Sequence, residues 1–475
     1  MSTNVDPVEA FKQARHASRV ADDVEDDELI ELPDELSASD AGNAARLIRL
    51  EGRRLRHVHA WQKWLVYDDG RWHIDLGDAL VSHRAKAVGA DVLRQSRELT
   101  DDKAREAAEK FAKRCENASA IGSMLTLARG IPGVLVDHEQ LDAHPTLLNV
   151  LNCTIDLETG KARDHEPDDL MTKRAPVVYD EESTAPLWES CLERWQPDPA
   201  VRDYLQRMCG SAITGHPVER LFVNHGVGGN GKSKFYGAIA GLLGSYSVVP
   251  HKSLLVAQRH QEHQTVVASL FGARMLVVPE TEADDRLNEA LVKNLTGGDT
   301  IRARRIREDE WDFKPTWTAF MHTNYRPVVS GADEGIWRRL RLIPWETIIP
   351  TSQQDPRLGD KLASEESGIL NWLIAGAVRW LDGDDSEPAD VIAATADYRD
   401  AENVIGRFVD ECCVTGPGKS VPVKKLGQTY TLWCQQNAED VMTSKALGQA
   451  LEAMGFRAKK GTGGVRIRLG LGLIR

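Results

Sequence analysis

The sequence predicts an α/β protein built around a parallel-sheet core, with an α+β domain before it and a winged-helix-like domain after it. Three observations carry this. The apolar run Leu221-Phe222-Val223 leads into a glycine-rich loop and then a helical pattern from Lys234 to Leu243. Further strand–loop–helix units follow to about residue 350, and alternation of this kind builds parallel sheets. The 475 residues also exceed one ordinary core, at about 150 residues per domain.

Composition narrows the class. Hydrophobic residues are 41% and charged residues 28%, the balance of a soluble globular chain. No apolar run approaches the roughly 18 residues that span a bilayer, so no membrane partner is expected. The first twenty residues lack an apolar signal core, which points to the cytoplasm. Seven scattered cysteines without a CxxC pair argue against a disulfide framework or a cysteine-rich zinc site. The net charge of −13 argues against coating nucleic acid wholesale, although a local basic surface still binds it.

The elements follow in order. Residues 21–40 hold ten acids and no Lys or Arg, so 1–40 reads as a solvated acidic tail. Residues 41–185 read as an α+β domain. Its arginine-rich start precedes Trp61, Trp64, Tyr67 and Trp72, which flank the turn signal Asp69-Gly70 of a β-hairpin. These aromatics are expected mainly as core, with base stacking as the functional alternative. Residues 78–130 read as helices and 147–180 as short strands and turns. Residues 186–215 form a helical collar, 216–350 the core, and 351–401 a helical segment with an amphipathic helix over 364–381. Asp382-Gly383-Asp384-Asp385 then reads as a turn rather than an acid cluster. Residues 402–475 read as helices, the last capped by Thr443, followed by two strands around Gly461-Thr462-Gly463-Gly464.

The chemistry concentrates in the core. Gly226-Val227-Gly228-Gly229-Asn230-Gly231-Lys232-Ser233 matches the GxxxxGK[ST] pattern between a strand and a helix. Glycines let backbone N–H groups converge on phosphates, and the helix N-terminus adds partial positive charge. Lys232 would neutralise the β- and γ-phosphates of ATP, and Ser233 would ligate Mg²⁺. Arg274 to Glu282 reads as a buried strand with Glu280 and Glu282 at its carboxyl end. One carboxylate would hold Mg²⁺ and the other would serve the attacking water; the spacing leaves the assignment open. Asn324, ending the strand pattern from Trp317, is a candidate γ-phosphate sensor. Arg338 and Arg339 are candidates for stabilising transition-state charge on a neighbouring subunit's ATP. Four arginines within six residues, Arg302, Arg304, Arg305 and Arg307, with Lys314 beyond, read as a phosphate-tracking loop. At the C-terminus, Lys459, Lys460, Arg466 and Arg468 lie in a stretch free of acids and are candidates for duplex DNA binding.

The order GVGGNGKS, VVPETE, KNLTGGD, HTN and WRRL resembles a superfamily 3 helicase, more narrowly the phage, plasmid and poxvirus type of primase-helicase. The likeness extends from about residue 38 to 410. It takes in Asp40 to Arg46, the tryptophan hairpin, Asn149 to Leu157, Trp188, Thr214-Gly215 and Tyr398-Arg399. The resemblance implies an AAA+-like P-loop ATPase core, assembled as a homo-hexamer and translocating 3′ to 5′ on single-stranded DNA. By position it implies Lys232 and Ser233 as Walker A, Glu280 and Glu282 as Walker B, Asn324 as sensor, and Arg339 or Arg338 as finger. The segment Arg302 to Lys314 falls where the family has its channel hairpin. Many members carry a primase upstream; here only a tail-like, acid-rich segment of about 40 residues precedes the shared region, so the chain reads as the helicase half, working with a separate primase and other replication proteins at forks. The implied role is a replicative DNA helicase of a phage, prophage or plasmid in a bacterial cytoplasm. An ATP-switched origin-binding initiator or scaffold, and a packaging or transfer motor, are the competing readings.

Overall fold

The structure is a computed structural model describing residues 38–257, 264–282, 285–305, 309–329, 334–437, 439–461 and 464–474. Most of the acidic segment, Arg307, and the turn residues Thr462 and Gly463 lie outside the described residues. The chain divides into two compact units. One combines the segments up to His57 and Asp75–Leu135; the other combines Val58–Ile74 with everything from Val136.

The smaller unit is helical: α1 (Asp40–Glu51), α2 (Ala79–Ser96), α3 (Asp102–Cys115) and α4 (Ala118–Ala128). Their starts follow capping chemistry. The Ser39 hydroxyl accepts from Gly42 N at 3.1 Å, and the Asp75 carboxylate accepts from Leu80 and Val81 N. Asp91 is buried on α2 and is held by Arg49 and Arg94 at 2.6 and 2.7 Å. A buried carboxylate needs such partners.

The larger unit opens with a hairpin, β1 (Lys63–Asp68) and β2 (Arg71–Asp75). Its turn places Asp69 at φ 49° and Gly70 at φ 75°, the paired positive angles that match strand twist. Trp61, Trp64 and Trp72 are at most 2% exposed, so they pack as core. A small antiparallel sheet follows, β3 (Leu147–Asn149), β4 (Thr154–Asp156) and β5 (Lys161–Arg163). Its Leu148 and Ile155 share a core with Trp188 and Tyr246. The contacts therefore divide at residue 135 rather than at the domain end of 185 drawn from composition.

Helices α5 (Pro186–Trp195) and α6 (Pro199–Ser211) lead to the central sheet. Its strands are β6 (Leu221–His225), β7 (Ser247–Val248), β8 (Met275–Val278), β11 (Thr318–Thr323) and β12 (Leu340–Pro344), with α7 (Lys232–Leu243) after β6. Between β8 and β11 come α8 (Glu289–Thr296) and the hairpin β9 (Ile301–Arg304) and β10 (Glu310–Phe313). The order is β12-β6-β11-β8-β7, all parallel. Side-chain alternation feeds two cores. Phe222, Val277, Phe320 and Ile343 join Phe235 and Ile239 of α7, while Leu221, Leu276, Val278 and Met321 join Trp311 and Trp337. Covering both faces explains the unbroken apolar strands. Arg274 ties this sheet to β3: although 3% exposed, it donates to the carbonyls of Ile213, His144 and Leu147.

The amphipathic helix is α9 (Glu366–Leu381). It crosses α6 so closely that a Cβ on Gly210 would stand 2.2 Å from Ala377 N. Asp203 on α6 pairs with Arg207 and Arg379, and Asp384 pairs with Arg379 at 2.9 Å. The acids after α9 thus brace a turn. Helix α10 (Ala389–Glu402) packs along β12.

The last module contains α11 (Val404–Cys412), β13 (Cys413–Pro422), α12 (Val423–Gln436), α13 (Ser444–Ala453), β14 (Ala458–Lys460) and β15 (Arg466–Leu473). The sheet order is β13-β15-β14. Strand β13 was not expected from the sequence. Its Gly416, Pro417 and Gly418 read as a loop, and they sit at an irregularity in the pairing between Thr415 and Ser420.

Candidate functional site: a glycine-rich loop at the sheet edge

Parallel pairing decides the site. The register places Val278 beside Met321 and Thr323 beside His225, so the chain leaves β6, β8 and β11 at one edge. Gly226, Glu280 and Asn324 emerge there together, at the carboxyl ends where open α/β sheets bind ligands.

The loop after β6 is fixed by its own residues. Gly229 and Gly231 have φ 80° and 91°, which favour glycine. A Cβ on Gly231 would also lie 2.3–2.5 Å from ring atoms of Trp195. Asn230 is buried, donates to Trp345 O at 3.0 Å, and accepts from Lys232 N at 3.4 Å. Ile349 N donates to Gly229 O at 2.9 Å. Lys232 is 2% exposed, and its ammonium donates to Gly226 O at 2.5 Å and Asn324 Oδ1 at 3.3 Å. Asn324 Nδ2 in turn donates to Glu280 Oε2 at 3.2 Å. Burial pulls the lysine down to about 8, against the favourable charge of Glu280. The helix N-terminus, the ammonium and Glu280 share a cavity of about 610 Å³.

The sequence-derived residues divide here. Gly228 to Ser233, Glu280 and Asn324 line the cavity; Glu282, Arg338 and Arg339 do not. Glu282 is exposed and its backbone N–H donates to Asp285 Oδ2. Arg338 is exposed, whereas Arg339 is 8% exposed and donates to Gly335 O at 2.9 Å. The far wall of the cavity was not found in the sequence. Leu187, Cys191, Arg194 and Trp195 come from α5, and Ile349, Gln354, Asp355 and Leu358 from the segment after β12. No motif marks either segment, since their role arises from packing.

The basic residues also separate. Arg302 pairs with Asp312 at 3.0 Å and Glu310 at 3.9 Å, while Arg304 and Lys314 are exposed. The Arg305 guanidinium stacks 4.4 Å over Trp61, which anchors the hairpin on its aromatic base. In the last module Lys459, Lys460 and Arg466 are exposed. Arg468 is a correction to the expected DNA surface. It is 5% exposed and donates to Phe456 O and Gly448 O, so it fastens β15 to α13.

The family model described as D5 N terminal like matches residues 44–197. A family of unknown function (DUF5906) matches residues 224–339, from the end of β6 to Arg339. Protein L207/L206 of Acanthamoeba polyphaga mimivirus, provisionally named a helicase, is 28% identical over 62% of this chain and 34% of its own length. Protein 184R of Invertebrate iridescent virus 6, also provisionally named a helicase, is 26% identical over 53% of this chain and 27% of its own. Protein C962R of African swine fever virus, provisionally named a primase, is 25% identical over 43% and 22%. The chain thus spans about a third or less of these curated relatives. The apo structure of the NrS-1 C terminal region superposes with a TM-score of 0.50 at 10% identity, covering 90% of this chain and 99% of that one, which shows a shared fold. The matches to the D5 N terminal like and DUF5906 models, together with viral relatives named as helicases or primases, are consistent with the D5-like superfamily 3 primase-helicase family.

Proposed function

We propose that the chain is the ATP-hydrolysing helicase motor of a viral, phage or plasmid replicon, with an AAA+-like core, working as a homo-hexamer on single-stranded DNA. One observation carries the reading: Lys232, Asn324 and Glu280 form a bonded chain inside one cavity at the start of α7. Phosphates of ATP would displace Gly226 O and Asn324 from the ammonium and receive the backbone N–H groups that open α7. Ser233 at the helix start and the exposed Glu280 offer the hard oxygen donors that suit Mg²⁺, which would spread the charge developing on the transferred phosphoryl group. Glu280 lines the cavity and accepts from Asn324, which supports giving it the water-orienting role; Glu282 lies outside the cavity. Arg338, exposed after β11, is the arginine assigned in this reading to a neighbouring subunit's nucleotide, while the buried Arg339 donates to Gly335 O.

The final module has the helix-and-hairpin pattern of a winged helix. Its Lys460 stands directly across from Arg466 on neighbouring strands, a like-charge pair that an intervening phosphate would relieve. Hydrolysis of ATP accelerated by single-stranded DNA tests the motor. An origin-binding switch would bind ATP and DNA with no such acceleration.

A further inference from the structure

One face of α10 holds the chain on either side of Arg338. Thr395, Tyr398, Arg399 and Glu402 stand at i, i+3, i+4 and i+7 of that helix, so they share a face. The Thr395 hydroxyl accepts from Leu342 N of β12 at 2.9 Å. The Tyr398 hydroxyl donates to Pro327 O. The Arg399 guanidinium pairs with Glu334. The Glu402 carboxylate accepts from Val329 N at 3.0 Å. Tyr398 is 0% exposed, and its ring meets Trp337 edge-on with 5.2 Å between centroids.

Tyr398 therefore touches both the Asn324 side and the Arg338 side. Pro327 lies three residues after Asn324. The start of that turn is fixed, because the Thr323 hydroxyl donates to Tyr325 O at 2.7 Å and accepts from Tyr325 N at 3.1 Å. Trp337 directly precedes Arg338 and ends a one-turn helix, Glu334–Trp337, where Arg338 N donates to Glu334 O at 3.1 Å. The Arg399–Glu334 pair is exposed, and such pairs contribute little. The bonds from Tyr398 and Glu402 are the less exposed anchors. A long arginine is aimed by the backbone that carries it, and a shift of about 1 Å in a positioning element can cost about a hundredfold in rate. We propose that Tyr398 and Glu402 are positioning residues. Through Trp337 and Val329 they set the backbone from which Arg338 reaches a neighbouring subunit's nucleotide, and through Pro327 Tyr398 ties that backbone to Asn324 in the chain's own site. Both roles rest on the motor reading above, with Arg338 as its finger.

Three substitutions in the full chain separate these contacts. Tyr398→Phe removes the hydroxyl and keeps the ring, Glu402→Ala removes the acceptor for Val329 N, and Glu402→Gln keeps an oxygen there. Steady-state ATP hydrolysis with single-stranded DNA is measured for each beside wild type and Arg338→Ala, with melting curves as fold control. Tyr398→Phe and Glu402→Ala are expected to lower kcat by up to about tenfold, the range of one lost hydrogen bond. The KM for ATP should stay within about twofold, since the nucleotide's own pocket is untouched. Glu402→Gln should stay near wild type. Mixing supplies a readout that a merely structural role would not move. A Tyr398→Phe chain keeps its loop and a Lys232→Ala chain keeps its finger, so hydrolysis per Tyr398→Phe chain should rise when the two are mixed. Wild-type kcat in folded Tyr398→Phe and Glu402→Ala would overturn the proposal and leave the motor intact. So would a loss that mixing fails to recover under conditions where Arg338→Ala is recovered, because the effect would then lie in the chain's own site. Full turnover in Arg338→Ala would remove the finger and these roles together, and a wild type that hydrolyses no ATP would remove the motor reading itself.

Discussion

Lys232 holds two bonds that a nucleotide would replace in the proposed function, one to Gly226 O and one to Asn324. Replacing it with alanine is expected to lower ATP turnover by at least about a hundredfold with the fold retained, since a cation aimed at transition-state charge is worth roughly 3–4 kcal/mol. Turnover within threefold of wild type would refute the assignment. The lysine's lowered value, about 8, also sets a sign. An anion favours the protonated ammonium, so ATP binding at pH 8 should take up protons, and affinity should fall as pH rises through 8 and above. Calorimetry in two buffers of different ionisation enthalpy measures that uptake; equal observed heats in the two buffers would contradict it. At the neighbouring arginines the roles should split. Arg338→Ala is expected to abolish turnover, by up to about a thousandfold, without moving the melting temperature. Arg339→Ala removes a buried, bonded guanidinium and should destabilise the fold by about 1–3 kcal/mol. The strand–loop–helix around Gly226 to Ser233 was legible because glycine spacing and its flanking pattern are local. Burial at Arg339 and Arg468 was not, because a basic residue reads the same in sequence whether it meets solvent or a carbonyl.

At the scale of elements, legibility followed periodicity. The β1–β2 hairpin, the helices over 78–130 and α9 follow from turn chemistry and apolar spacing. Strand β13 escaped because Gly416, Pro417 and Gly418 interrupt its pattern, and only β15 across from it makes it a strand. The cavity wall from α5 and the segment after β12 carried no signal either, since neither holds a phosphate-binding pattern. The β14–β15 pair yields a test of its own. Neutralising Lys459, Lys460 and Arg466 together to Gln should leave basal ATP hydrolysis unchanged, because none touches the phosphate-loop cavity. It should weaken duplex or fork binding and flatten its salt dependence by up to about 0.9 per lost phosphate contact. Unchanged fork affinity and slope would make this module a protein-docking surface instead.

The whole molecule poses the question of assembly. If Arg338 acts across a subunit boundary, inactive Arg338→Ala and inactive Lys232→Ala chains should regain some hydrolysis when mixed, because some interfaces then join an intact loop to an intact finger. No recovery under conditions where subunits demonstrably exchange would place the arginine's action within one chain. The measurement that bears most directly on the motor is steady-state ATP hydrolysis with Mg²⁺, with and without single-stranded DNA, for wild type beside Lys232→Ala. A motor predicts hydrolysis that DNA accelerates and that vanishes in the variant. Hydrolysis absent in wild type, or present and indifferent to both DNA and Lys232, would contradict it.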